Sequence, residues 1–167
     1  MTKLRLAGVI RESIVDGPGI RYTVFGQGCP HHCPGCHNQK TWPFSGGFLA
    51  EPEKIVAEMK RNPMLRGVTL SGGEPFCQSR AMAELAALVH AAGYDVITYT
   101  GYLFEELMEK AKADPDVLLL LQQTDVLIDG PFLQEEKSYD LRFRGSKNQR
   151  AIDVKASLSG DIVLIEL

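Results

Sequence analysis

Three of the four cysteines fall in one short run, Cys29-Pro30-His31-His32-Cys33-Pro34-Gly35-Cys36, with the spacing C-x3-C-x2-C. Three thiolates on one loop suit a single metal centre. A cubane [4Fe–4S] cluster has four irons, so three protein ligands leave one iron open to bind and activate a small molecule. A fully ligated cluster can only pass electrons. The competing reading of the spacing is a zinc site completed by His31, His32 or His37. His31 and His32 lie inside the chelate loop and read as solvent-facing residues rather than ligands. The fourth cysteine, Cys77, reads as a small core residue outside the ligand set. A thiolate added there would close the open iron.

A second chemical feature is Ser71-Gly72-Gly73-Glu74-Pro75. Paired glycines let a ligand approach the backbone closely, and Glu74 supplies a charge able to hold an ammonium. Alone, such a turn marks only the end of a strand. Its value depends on where the fold puts it relative to the cysteines.

Hydrophobic periodicity supplies that placement. Leu4 to Ile10 reads as an edge strand, Asp16-Gly17-Pro18-Gly19 as a compact turn, and Tyr22 to Phe25 as a strand running directly into the cysteine loop. Residues 37–47 read as irregular. A helix from Pro52 carries Ile55, Val56 and Met59 on one face. Gly67 to Leu70 is a short strand that leads into the Gly-Gly-Glu turn. Ser79 reads as the cap of a helix with Met82, Leu85, Ala86 and Val89 as its stripe. Asp95 to Tyr99 is a strand, and Leu103, Phe104, Leu107, Met108 and Ala111 mark a further helix. Val117 to Leu121 is read as helix because Asp125 to Asp129 must form the next strand. Ala151 to Val154 and Ile162 to Ile165 read as strands with no long helix between them.

Strands and helices thus alternate, which predicts an α/β fold with a mostly parallel sheet. Too few units are present for a complete eight-stranded barrel of about 250 residues, so a partial, open (β/α) barrel is expected, as one domain over residues 1–167. In such folds the loops after the C-terminal strand ends share one rim. The cysteine loop and the Gly-Gly-Glu turn are therefore expected on the same cleft.

The totals exclude several classes. A net charge of −3 gives no general attraction to nucleic acid or anionic membrane. No apolar run is long enough to span a bilayer, and no signal-peptide pattern opens the chain. Four cysteines without a secretory context read as metal or redox ligands, so a cytoplasmic location is expected.

C-x3-C-x2-C followed by a strand-borne Gly-Gly-Glu-Pro resembles the radical S-adenosylmethionine superfamily. That resemblance implies Cys29, Cys33 and Cys36 as ligands of a [4Fe–4S] cluster whose open iron chelates the methionine moiety of S-adenosyl-L-methionine. One electron then cleaves the sulfonium to methionine and a 5′-deoxyadenosyl radical. It also implies Gly72, Gly73 and Glu74 beside the methionyl amine, and Gly35, Cys36 and His37 near the adenine. The superfamily often has Tyr or Phe where His37 stands.

Further motifs narrow the likeness. Asp16-Gly17-Pro18-Gly19-Ile20-Arg21 is similar to the entry motif of glycyl-radical enzyme activases. Trp42, Tyr99 to Tyr102, Asp125 to Phe132 and Arg144 to Arg150 together resemble the activating proteins of anaerobic ribonucleoside-triphosphate reductase. This implies an oxidoreductase whose substrate is a glycine in a partner protein, fed by an electron donor such as flavodoxin or ferredoxin. Thr100 and Asp129, near strand ends on the active rim, are candidates for contact with the cofactor. Arg21 is expected to pair with a nearby carboxylate or the cofactor's own. Arg142, Arg144, Lys147 and Arg150 form a basic cluster suited to an acidic partner surface. Activases of other glycyl-radical enzymes and small-molecule radical enzymes share the same core motifs, and a non-catalytic zinc module is the remote alternative.

Overall fold

The computed structural model describes residues 1–167. Its seven strands form one open sheet in the order β3-β1-β2-β4-β5-β6-β7. The centre is parallel: β2 (Ile20–Gly26), β4 (Leu65–Gly72), β5 (Asp95–Tyr99) and β6 (Val126–Asp129) run the same way. Helix α1 (Pro52–Met59) precedes β4, α2 (Ser79–Ala91) links β4 to β5, and α3 (Phe104–Ala111) with α4 (Pro115–Gln123) links β5 to β6. The strands β3 (Phe48–Ala50) and β7 (Arg150–Asp153) sit at opposite edges, so the barrel does not close.

Alternation along the strands explains the two sheet faces. Tyr22 and Val24 of β2, Val68 and Leu70 of β4, and Val96 of β5 join Met59, Met82, Leu85, Val89, Leu107, Leu120 and Leu121 from the helices in one apolar core. The intervening residues make a polar inner face. There Arg21 is fully buried and donates to Thr69 Oγ1 at 2.8 Å, Val68 O at 2.8 Å and Asp95 Oδ1 at 2.5 Å. The carboxylate that Arg21 pairs with is thus Asp95, in the sheet. Asp16 of the entry turn joins the same network, accepting from Thr23 Oγ1 at 3.2 Å.

Several local expectations are revised. Strand β1 (Leu4–Ser13) is not an edge, because β3 pairs outside it; a three-residue strand carries too little pattern to be read in advance. Both β1 and β7 pair antiparallel to their inner neighbours, so only the central strands are parallel. Ser79 does not cap α2. A 3-10 turn at Pro75–Gln78 runs straight into the helix, and Ser79 Oγ donates back to Phe76 O at 2.8 Å. Residues 162–165 form only a single bridge, Ile152 with Leu164. Val154 leaves β7 to begin the short helix α5 (Val154–Ser157). The ambiguous apolar run at Val117 is helical, inside α4, whose first turn is capped by Asp114 accepting from Asp116 N. No helix is long and apolar enough to cross a membrane.

Candidate metal and cofactor site

The cysteine loop leaves the end of β2, and the Gly-Gly-Glu turn leaves the end of the adjacent parallel strand β4. The two are joined backbone to backbone: Gly73 N donates to Gly26 O and Glu74 N to Gly28 O, both at 2.8 Å. On the other side, Gly28 N donates to Thr41 O at 2.7 Å and Cys29 N to Trp42 O at 3.0 Å. This closeness accounts for the glycine pair. A Cβ on Gly73 would lie 2.2 Å from Gly28 O, and one on Gly72, whose φ is +92°, would lie 2.4 Å from Gly26 N. The pair lets the turn close on the root of the cysteine loop.

Cys29 is buried, while Cys33 and Cys36 are half-buried on the rim. Burial pushes the Cys29 thiol pKa up, and the backbone N–H groups of His31 and His32 beside its sulfur pull it back down. Cys36 N donates to Cys33 O at 3.1 Å, and Cys36 Sγ accepts from Asn38 N at 3.3 Å. Nowhere do three His, Cys, Asp or Glu side chains close on one point at metal-binding range. The three thiols therefore share one loop without being gathered on a single centre. Two of the loop's imidazoles are engaged elsewhere. His31 is bonded to Glu74, and His32 stacks on Trp42 at 4.5 Å and 6°. His37 faces the edge of Phe132 at 5.8 Å. Three thiols on one loop are a soft donor set that fits an iron–sulfur cluster. The solvent-facing reading of His31 is corrected: its side chain is only 17% exposed.

Glu74 is 1% exposed. Its oxygens accept from Thr100 Oγ1 at 2.8 and 2.9 Å, Gly101 N at 2.8 Å, Phe76 N at 3.0 Å and His31 Nε2 at 2.7 Å. Glu74 and Thr100 are thus brought together, behind the cleft surface. Asp129 is fully buried and makes no hydrogen bond to either; it ends β6, whose Ile128 O accepts from Thr100 N at 2.9 Å. It accepts from Phe104 N at 2.8 Å, which satisfies the start of α3, and pairs with Arg150 at 2.5 Å. Arg150 also reaches Glu105 at 2.5 Å. Its pKa is raised, chiefly by the hydrogen bond to Asp129, and the Glu105 carboxyl is lowered in return. Arg150 therefore leaves the basic cluster as a structural cation.

A cleft of about 510 Å³ opens beside Cys36 and His37. Its lining includes Ser71, Tyr99, Phe132 and Phe143, together with Ile14, Val15, Asp16, Arg144 and Gln149. A larger hollow of about 820 Å³, lined by Arg142, Arg144 and Lys147 among others, contains no thiol. The smaller cleft is the one that matters for the cysteine chemistry. Tyr99, Phe132 and Phe143 carry no sequence signal of a site role beyond the place of Tyr99 and Phe132 in the segments Tyr99 to Tyr102 and Asp125 to Phe132. Tyr99 Oη donates to Phe143 O at 2.6 Å and so fixes that wall, where Phe143 has a φ of +62°. Gln149 holds the segment closed by accepting from Gly145 N at 2.8 Å and donating to Gly130 O at 3.1 Å.

Cys77 is exposed on the 3-10 turn after Glu74, not in the core. Local desolvation, then the negative charge of Glu74 and of Cys29, pushes its thiol up to about 11. Its thiolate fraction at pH 8 is then roughly 100-fold below that of an unperturbed thiol. Iodoacetamide labelling of Cys77, followed by mass spectrometry of its peptide, is expected to keep rising about tenfold per unit between pH 9 and 10. A plateau by pH 9 contradicts this environment.

Residues 15–152 match the 4Fe-4S single cluster domain family. The chain is 40% identical to the anaerobic ribonucleoside-triphosphate reductase-activating protein of Vibrio cholerae, over 81% of this chain and 89% of that one. It is 41% identical to the protein of the same name from Salmonella typhi, over 81% and 90%. The crystal structure of QueE from Escherichia coli superposes with a TM-score of 0.47 at 20% identity, over 59% of this chain and 53% of that one. Both the cysteine loop and the Gly-Gly-Glu turn lie within the matched residues, and the chain belongs to the 4Fe-4S single cluster domain family and to the family of anaerobic ribonucleoside-triphosphate reductase-activating proteins.

Proposed function

We propose that this chain, as a single radical S-adenosylmethionine domain over residues 1–167, is the activating enzyme of an anaerobic ribonucleoside-triphosphate reductase. The observation that carries the reading is the union, on one rim, of a three-thiol loop and a Gly-Gly-Glu turn in a chain whose relatives bear that name. Cys29, Cys33 and Cys36 hold a [4Fe–4S] cluster. When bound, the cluster and S-adenosyl-L-methionine supply a one-electron cleavage of the sulfonium, whose adenosyl product takes a hydrogen atom from a backbone glycine of the reductase.

The chain's own residues position and shield this chemistry. The Gly72-Gly73-Glu74 turn borders the methionyl end. Gly35, Cys36 and His37 border the adenine, beside the aromatic wall of Phe132 and Phe143. Thr100 acts through Glu74, and Asp129 fixes the start of α3 directly through Phe104 N and the edge strand β7 through Arg150. The cleft beside Cys36 is lined in part by the exposed Ile14 and Val15, which suits a substrate that is a protein loop. A flavodoxin or ferredoxin delivers the electron, in the cytoplasm, where four unpaired thiols persist.

The test is anaerobic mixing of the reduced protein, S-adenosyl-L-methionine and the reductase. A glycyl-radical spectrum on the reductase is expected. Cofactor cleavage with a radical only on a different glycyl-radical enzyme reassigns the partner.

A further inference from the structure

His31 is the middle residue between Cys29 and Cys33, and its ring sits in a seat assembled by two other strand ends. Nε2 lies 2.7 Å from Glu74 Oε1, across 43 residues of sequence. A carboxylate only accepts, so Nε2 carries the proton. Tyr102 meets the ring edge-on at 4.5 Å. Gly101 completes the seat by having no side chain: a Cβ there would lie 2.4 Å from His31 Cδ2. Glu74 is itself immobilised by Thr100, Gly101 and Phe76, which with His31 match the roughly four lone-pair sites of a carboxylate.

We infer that His31 is a positioning residue, hanging the cysteine loop on Glu74 so that the first two thiols are presented in a fixed geometry. The inference rests on the reading that this loop carries the cluster. Fixing the middle of the three-residue bridge between Cys29 and Cys33 removes the main freedom those thiols have relative to each other. It also couples the loop to the turns after β4 and β5, so that three strand ends set the shape of one chelate.

The test uses the full chain, reconstituted anaerobically with iron and sulfide, then challenged with a ferrous chelator while iron release is timed. His31→Ala is expected to release iron about 10- to 100-fold faster than the wild type, the range for losing an outer partner of a metal site. His31→Gln, whose amide N–H can reach Glu74, is expected to recover most of that loss. Gly101→Ala, which leaves the histidine in place but fills its seat, is expected to behave like His31→Ala. In the His31→Ala background it is expected to add little, because the group it collides with is gone.

Equal release rates for wild type and His31→Ala overturn the proposal. So does a Gly101→Ala defect of the same size with and without His31, which assigns the defect to β5 rather than to the histidine. A wild-type chain that takes up no iron overturns the underlying cluster reading instead.

Discussion

Replacing Cys33 by Ala is expected to give a folded chain that holds no stable cluster. Iron content after anaerobic reconstitution should fall from about four per chain to a small residue, and 5′-deoxyadenosine formation should drop by about 10³-fold or more, to background. The size of the effect follows from the donor set. Cys29 and Cys36 remain, but the loop has no further sulfur, His31 is bonded to Glu74, and Cys77 stands on a separate turn. Folding is expected to survive because Cys33 is half-buried on the rim and outside the apolar core. A surface change of this kind stays within about 0.5 kcal/mol, so the melting temperature of the iron-free chain should move by no more than about 2 °C. Full iron content and activity in Cys33→Ala contradict the ligand assignment.

Gly72→Ala is expected to damage both the fold and the cluster site. The new Cβ would fall 2.4 Å from Gly26 N and 2.5 Å from Phe25 C, all backbone, which has no rotamer by which to yield. The position also has a φ of +92°, outside the comfortable range of an L side chain. Overpacking of this sort costs about 1–3 kcal/mol, and the left-handed backbone adds about 1–2 kcal/mol. Together they predict a loss of about 2–5 kcal/mol, or roughly 4–20 °C in melting temperature for a chain of this size. The strand ends forced apart, β2 and β4, are the two that carry the cysteine loop and the Gly-Gly-Glu turn, so cluster retention should fall with stability. Thermal unfolding and iron analysis of the same variant measure both. Unchanged values for each contradict the close packing of the two strand ends.

Local features of this fold are legible in the sequence, and features that need a distant partner are not. The cysteine spacing, the strand before it and the Gly-Gly-Glu turn are local patterns, and parallel α/β topology then places both loops on one rim without further information. Helix α4 was legible from a local argument as well, since the run Val117 to Leu121 had to leave room for β6. Features that depend on distant partners were not legible. Glu74 reads locally as a charge waiting for a ligand, yet its donors come from Thr100, 26 residues away, and from His31, 43 residues away. Asp129 reads as a rim carboxylate, but Arg150, 21 residues later, holds it in the interior. The antiparallel flanks escaped for a related reason. Strand β3 has only three residues, and its role comes from covering the edge of β1, which no local periodicity announces.

Electron paramagnetic resonance of the anaerobically reconstituted, reduced protein, recorded with and without S-adenosyl-L-methionine, tests the central claim most directly. The expected result is a reduced [4Fe–4S] signal from a chain containing about four irons, displaced when the cofactor is added because one iron has no protein ligand. A signal indifferent to the cofactor, or a chain that carries stoichiometric zinc and no iron–sulfur signal, contradicts an open iron held by Cys29, Cys33 and Cys36.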